Sequence, residues 1–104
     1  MMLSAKAEIM FSIKDRNYLN GKYPLRPTFK FGEGLLFSGN IISSNVEYLY
    51  NEKYIVDIDF FTIEDEGYSA VGPHLYIGMD LLIQEGSNII GSAKLNSYEY
   101  ITKQ

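Results

Sequence analysis

The chain has no cysteine, no tryptophan, one histidine and three prolines among its 104 residues. Without cysteine there is no disulfide, no thiolate nucleophile, no zinc–thiolate site and no iron–sulfur cluster. The single histidine, His74, follows Pro73 in a glycine-containing stretch and has no evident nucleophile to activate. It reads as a structural side chain. Long hydrophobic runs are absent too. Apolar runs such as 35–37 and 81–83 are far shorter than the ~20 residues a membrane-spanning helix needs. Residues 1–6 lack the basic start and apolar stretch of a secretory signal. The expectation is a cytoplasmic protein that does not enter a membrane.

What is present is aromatic: nine tyrosines and six phenylalanines, against which hydrophobic and charged content are ordinary for a globular chain. The length suits one domain covering residues 1–104. The net charge of -4 opposes non-specific binding to polyanions. That charge is unevenly spread. Residues 1–30 carry six basic side chains against two acidic ones, so a local basic face remains open as a reading.

The dominant hydrophobic period is two, which is the strand signal. Residues 5–14 place Ala5, Ala7, Ile9, Phe11 and Ile13 on one face and Lys6, Glu8, Met10, Ser12 and Lys14 on the other. Residues 25–31 alternate again, and Pro24 and Pro27 put the start of that strand at an edge, because proline donates no ladder hydrogen bond. Residues 35–42 form a further strand, in which Gly39 marks a bulge or a close approach. Residues 46–50 are a short aromatic stretch. Residues 54–63 set Tyr54, Val56, Ile58 and Phe60 against Ile55, Asp57, Asp59 and Phe61. Residues 79–84 and 89–95 flank a turn at 85–88, and Tyr98 and Tyr100 extend the last strand. Residues 15–22 read as a turn, and residues 64–78 as a long loop with Gly67, Gly72, Pro73 and Gly78. Loops of that length in compact domains are often functional. No ten-residue stretch has helical periodicity. Six or seven short strands predict an all-β barrel or sandwich.

Candidate chemistry is sparse. Asp57 and Asp59 share a strand face about 7 Å apart. Such carboxylates suit a solvated face, and no calcium-loop spacing surrounds them. No catalytic, cofactor-binding or metal-binding set emerges. Phe11, Phe29, Phe31, Phe37 and Phe60 fall at core positions. Tyr48, Tyr50, Tyr68, Tyr76, Tyr98 and Tyr100 do not, and tyrosine serves equally at protein interfaces and as a stacking platform for bases. The acidic balance favours the first use. A protein-binding surface is expected at Glu64, Asp65, Glu66, Tyr68 and Tyr76.

Three segments together resemble the C-terminal β-barrel domain of elongation factor Tu and related translational GTPases. Residues 23–29 (YPLRPTF) look like the family's Gly-Tyr-Arg-Pro-Gln-Phe strand. Residues 78–86 (GMDLLIQEG) are similar to its Gly-Leu-Arg-Phe-Ala-Ile-Arg-Glu-Gly hairpin, and Ile90-Gly91 continues the match. The resemblance implies a closed, six-stranded antiparallel barrel spanning roughly residues 5–95. It also implies a tRNA- or RNA-contacting surface at Arg26, Thr28, Lys30, Gly86, Ser87 and Asn88. Thr28, Gln84 and Asn88 stand where the family carries Gln, Arg and Arg, which removes forked phosphate donors. The phosphate-binding loop of a GTPase is missing, so no GTP chemistry is expected. The sequence therefore points to a non-enzymatic binding module. Protein recognition, as a mimic, an inhibitor or an immunity-type protein, is the first reading and RNA binding the second. Nothing in it sets the oligomeric state.

Overall fold

The computed structural model describes residues 2–12, 27–42, 49, 51–63 and 66–101, and the backbone alone at 18–19, 47–48 and 65. Its main body is an antiparallel sheet of seven strands: β1 (Met2–Phe11), β3 (Thr28–Gly32), β4 (Leu35–Ser38), β5 (Asn40–Ile42), β7 (Lys53–Phe60), β8 (Asp80–Glu85) and β9 (Asn88–Ile101). The strand order is β4-β3-β8-β9-β1-β7-β5. Two further strands, β2 (Tyr18–Leu19) and β6 (Glu47–Tyr48), pair with each other. The turn expected at 15–22 therefore contains a strand.

The sheet is curled into a half-barrel and is open, so the closed six-stranded barrel is corrected. The cause lies at Gly39. Residues 35–42 read as one strand in the sequence, but they change partner midway. β4 pairs with β3 at one edge of the sheet, and β5 pairs with β7 at the other. One residue separates these outermost strands, so the two edges lie within roughly 7–8 Å at that point. The bend leaves no space for a side chain: a Cβ on Gly39 would stand 2.6 Å from the Phe29 ring and 2.8 Å from Ile58 Cγ2. The Gly39 N–H donates to the Pro27 carbonyl at 3.0 Å, so Pro27 serves as an acceptor where it cannot be a donor. Register shifts between β1 and β9 and between β8 and β9 add to the curl, since bulges increase local twist. At Gly91 a Cβ would collide with the Met10 carbonyl oxygen.

The core fills the concave side. Ala5, Ala7, Ile9 and Phe11 from β1 meet Val56, Ile58 and Phe60 from β7, all buried as the alternation required. Phe29, Phe31 and Phe60 pack edge to face, with centroids 5.3 Å apart in both pairs made by Phe60. Phe37 joins through Phe31 at 6.0 Å. Edge-to-face contact suits the ring quadrupole and adds to the burial itself.

The expectation of an unbroken loop at 64–78 is corrected as well. The chain forms helix α1 (Asp65–Val71) and a 3-10 turn at Gly72–His74.

Candidate interaction surface

The connection from β7 to β8 is built from local rules. Ile63 donates to the Phe60 carbonyl and is fully buried, which turns the chain away from the sheet. Asp65 and Glu66 stand in the first turn of α1, where carboxylates suit the helix dipole. Gly67 passes close beneath: a Cβ there would lie 3.2 Å from the Thr62 carbonyl oxygen. Pro73 ends the α-helix because it has no N–H and its ring crowds the preceding turn. The chain tightens into the 3-10 turn, which Leu75 closes by donating to Gly72 at 3.1 Å. Residues 76–79 then form a β-turn in which Met79 donates to Tyr76 at 3.2 Å. Gly78 lies at φ 91°, the left-handed conformation that a type II turn requires at its third residue.

This connection is fastened to the sheet at several points. Gly78 N–H donates to the Leu95 carbonyl at 2.7 Å, and Leu95 N–H donates to the Met79 carbonyl at 2.9 Å. The Tyr98 hydroxyl reaches the Leu75 carbonyl at 3.5 Å. Leu75, Met79 and Val71 are buried in the core. Tyr68 stacks face to face on Tyr100, with centroids 4.0 Å apart and planes 9° from parallel. Between the Leu75 and Met79 anchors, Tyr76 and Ile77 project outward, 63% and 69% exposed. No other large hydrophobic side chain among the described residues is so exposed. On α1 and the 3-10 turn, Glu66, Ser69, Ala70, Pro73 and His74 form the exposed stripe, at the i, i+3, i+4, i+7, i+8 spacing of one helical face.

The expected protein-binding residues divide accordingly. Tyr76 is at the tip and Glu66 on the exposed face of α1. Tyr68 is turned inward by its stack on Tyr100. Glu64 and the side chain of Asp65 lie outside the described residues. Ile77, absent from the expected set, is more exposed than Tyr76. Its sequence signal is an isoleucine directly before a glycine in a turn, where burial is improbable.

The expected RNA-contacting residues are only partly assembled. Thr28 stands opposite Gln84, two residues from the exposed turn Gly86, Ser87 and Asn88. Lys30 is opposite Leu82, farther along the strand, and pairs with Glu33 at 3.2 Å. Arg26, like Lys14, Arg16 and Lys22, lies outside the described residues. The convex face of β1 and β7 is internally matched. Lys6 faces Asp57 at 3.9 Å, Lys53 faces Glu8 at 3.6 Å, and the Ser4 hydroxyl donates to Asp59 at 3.0 Å. Asp57 and Asp59 thus have cross-strand partners. A polar groove of about 380 Å³ opens at this face, lined by Ser4, Lys6, Asp57, Ser97, Tyr98 and Glu99. Among the described residues no three His, Cys, Asp or Glu side chains are grouped to hold a metal. No described helix is long and apolar enough to cross a membrane.

The tip also lies in the most one-sided part of the chain. Residues 54–93 contain seven carboxylates, His74 and no lysine or arginine. No protein-family model and no curated protein sequence matches this chain.

Proposed function

We propose that the protein is a non-enzymatic recognition module that binds another protein through the β7–β8 connection. The observation that carries this reading is the pair Tyr76 and Ile77. Two large apolar side chains stand side by side in water on a backbone anchored on both sides. Binding hot spots favour such side chains, and a backbone already ordered loses less entropy on association. The matched ion pairs of the convex face, by contrast, have their partners within the fold. A cytoplasmic setting suits this role. The resemblance to the C-terminal barrel of elongation factor Tu belongs to the same proposal. Of the residues that carry the resemblance, 78–91 span the turn between β8 and β9, with Gly86 at φ 63°.

The test is a photoreactive side chain placed at Tyr76, and separately at Ser92 on β9, in the full chain within the cells that produce it. Irradiation should give one discrete protein adduct from position 76 and none from position 92. An RNA adduct, or equal labelling from both positions, would contradict the proposal.

A further inference from the structure

We propose that the cleft between the β4–β5 bend and the turn after β7 binds a small neutral molecule that carries a hydrogen-bond donor on an apolar body of about one ring, such as a phenol. This site is independent of the recognition reading above. The cleft measures about 100 Å³ and is lined by Ser38, Gly39, Asn40, Phe61 and Thr62. Both walls are fixed by backbone bonds. On one side the Gly39 N–H donates to the Pro27 carbonyl, and Asn40 is paired with Asp59 in the sheet. On the other, Phe61 and Thr62 are the central residues of a β-turn that Ile63 closes by donating to the Phe60 carbonyl at 3.1 Å. Such a site is formed before a ligand arrives. Its accessible lining is mostly carbon. The exception is Asn40. Its side-chain oxygen Oδ1 is buried and meets no donor, and no other buried side-chain nitrogen or oxygen among the described residues is left in this way. The cross-strand neighbour does not supply one, because the Asp59 carboxylate only accepts and already takes the Ser4 hydroxyl. An unpaired buried acceptor is costly, so the cleft favours an occupant that brings an O–H or N–H. A water molecule needs two to four polar partners and would meet carbon on most sides here. No lining side chain carries a charge to pair with an ionic ligand. An apolar cavity of ~150 Å³ holds benzene. A cleft of about 100 Å³ that opens to solvent at Ser38, Phe61 and Thr62 therefore takes a group of about one ring, with part of it standing outside.

The experiment is an NMR titration of the isotope-labelled full chain with phenol and, separately, with toluene, which has the same shape but a methyl group in place of the hydroxyl. Shifts at the Gly39 and Thr62 amides and at the Phe61 ring should saturate with phenol. Phenol should bind about tenfold more tightly than toluene, since only phenol donates to Asn40. Asn40→Leu roughly keeps the side-chain size and removes the acceptor, and it should abolish that preference. The comparison of phenol with toluene on the unaltered chain depends on no variant and stands by itself. Toluene bound as tightly as phenol, phenol shifts centred elsewhere, or a preference that survives Asn40→Leu would overturn the assignment. So would a long-lived water detected by cross-relaxation at the Asn40 side-chain amide, with no saturable phenol shifts. The cross-linking test at Tyr76 is untouched by any of these results, so the two readings can fail separately.

Discussion

The convex face of β1 and β7 and the connection from β7 to β8 are both exposed, yet they use their surface residues differently. On the convex face, Lys6, Lys53, Glu8, Asp57, Asp59 and Ser4 find partners across neighbouring strands. On the connection, the outermost side chains are apolar, while the backbone beneath them is bonded to Leu95 and packed into the core. Exposure alone does not mark a functional surface in this molecule. Under the proposed function, the connection is set apart by Tyr76 and Ile77, the two most exposed large apolar side chains among the described residues, carried on a backbone that is already ordered and loses less entropy on association.

The largest loss of stability should come from removing core packing on which both regions depend. Phe60→Ala would take away the ring that contacts Phe29 and Phe31, and it should cost about 3–5 kcal/mol in a urea unfolding experiment. Gly91→Ala should cost about 3 kcal/mol by the same measurement. Its new Cβ meets the Met10 backbone, which cannot turn aside as a side chain would.

Tyr68→Ala separates the two regions. It removes the stack on Tyr100 that fastens α1 to β9. Global stability should fall by about 1–3 kcal/mol, and amide exchange at Gly78 should accelerate more than exchange at Ile58 in the centre of the sheet. The smallest expected effects sharpen the contrast at the surface. Tyr76→Ala with Ile77→Ala should change unfolding free energy by less than about 0.5 kcal/mol while abolishing the photo-adduct from a reporter placed at Ala70. Lys6→Ala should also cost less than about 0.5 kcal/mol, since a 3.9 Å pair between exposed groups is weak, and it should leave that adduct unchanged.

The strands were legible where one face is dry. Val56, Ile58 and Phe60, and Ala5 through Phe11 by alternation, are buried as the period of two implies. Gly39 was legible as a close approach, but not as the point where a strand changes partner. That change depends on how β3 and β7 are arranged, which no local pattern encodes. The helix was hidden by its composition. Its inward positions are Gly67, Tyr68, Val71, Gly72 and Leu75, and two glycines in that stripe erase the hydrophobic periodicity that would announce it. Aromatic character alone does not distinguish a stacked ring such as Tyr68 from a free one. For Ile77 the local signal is its place directly before the turn glycine Gly78, and only the buried anchors Leu75 and Met79 on either side show that it projects outward.

Native-state hydrogen exchange at the Gly78 amide tests most directly whether the connection belongs to the rigid framework. This amide donates to Leu95 at 2.7 Å. Protection of this amide should lie within about 1–2 kcal/mol of that of the sheet amides at Ile58 and Ala93. Exchange near the rate of an unstructured peptide would show a loose loop, and the anchored display of Tyr76 and Ile77 would then be contradicted.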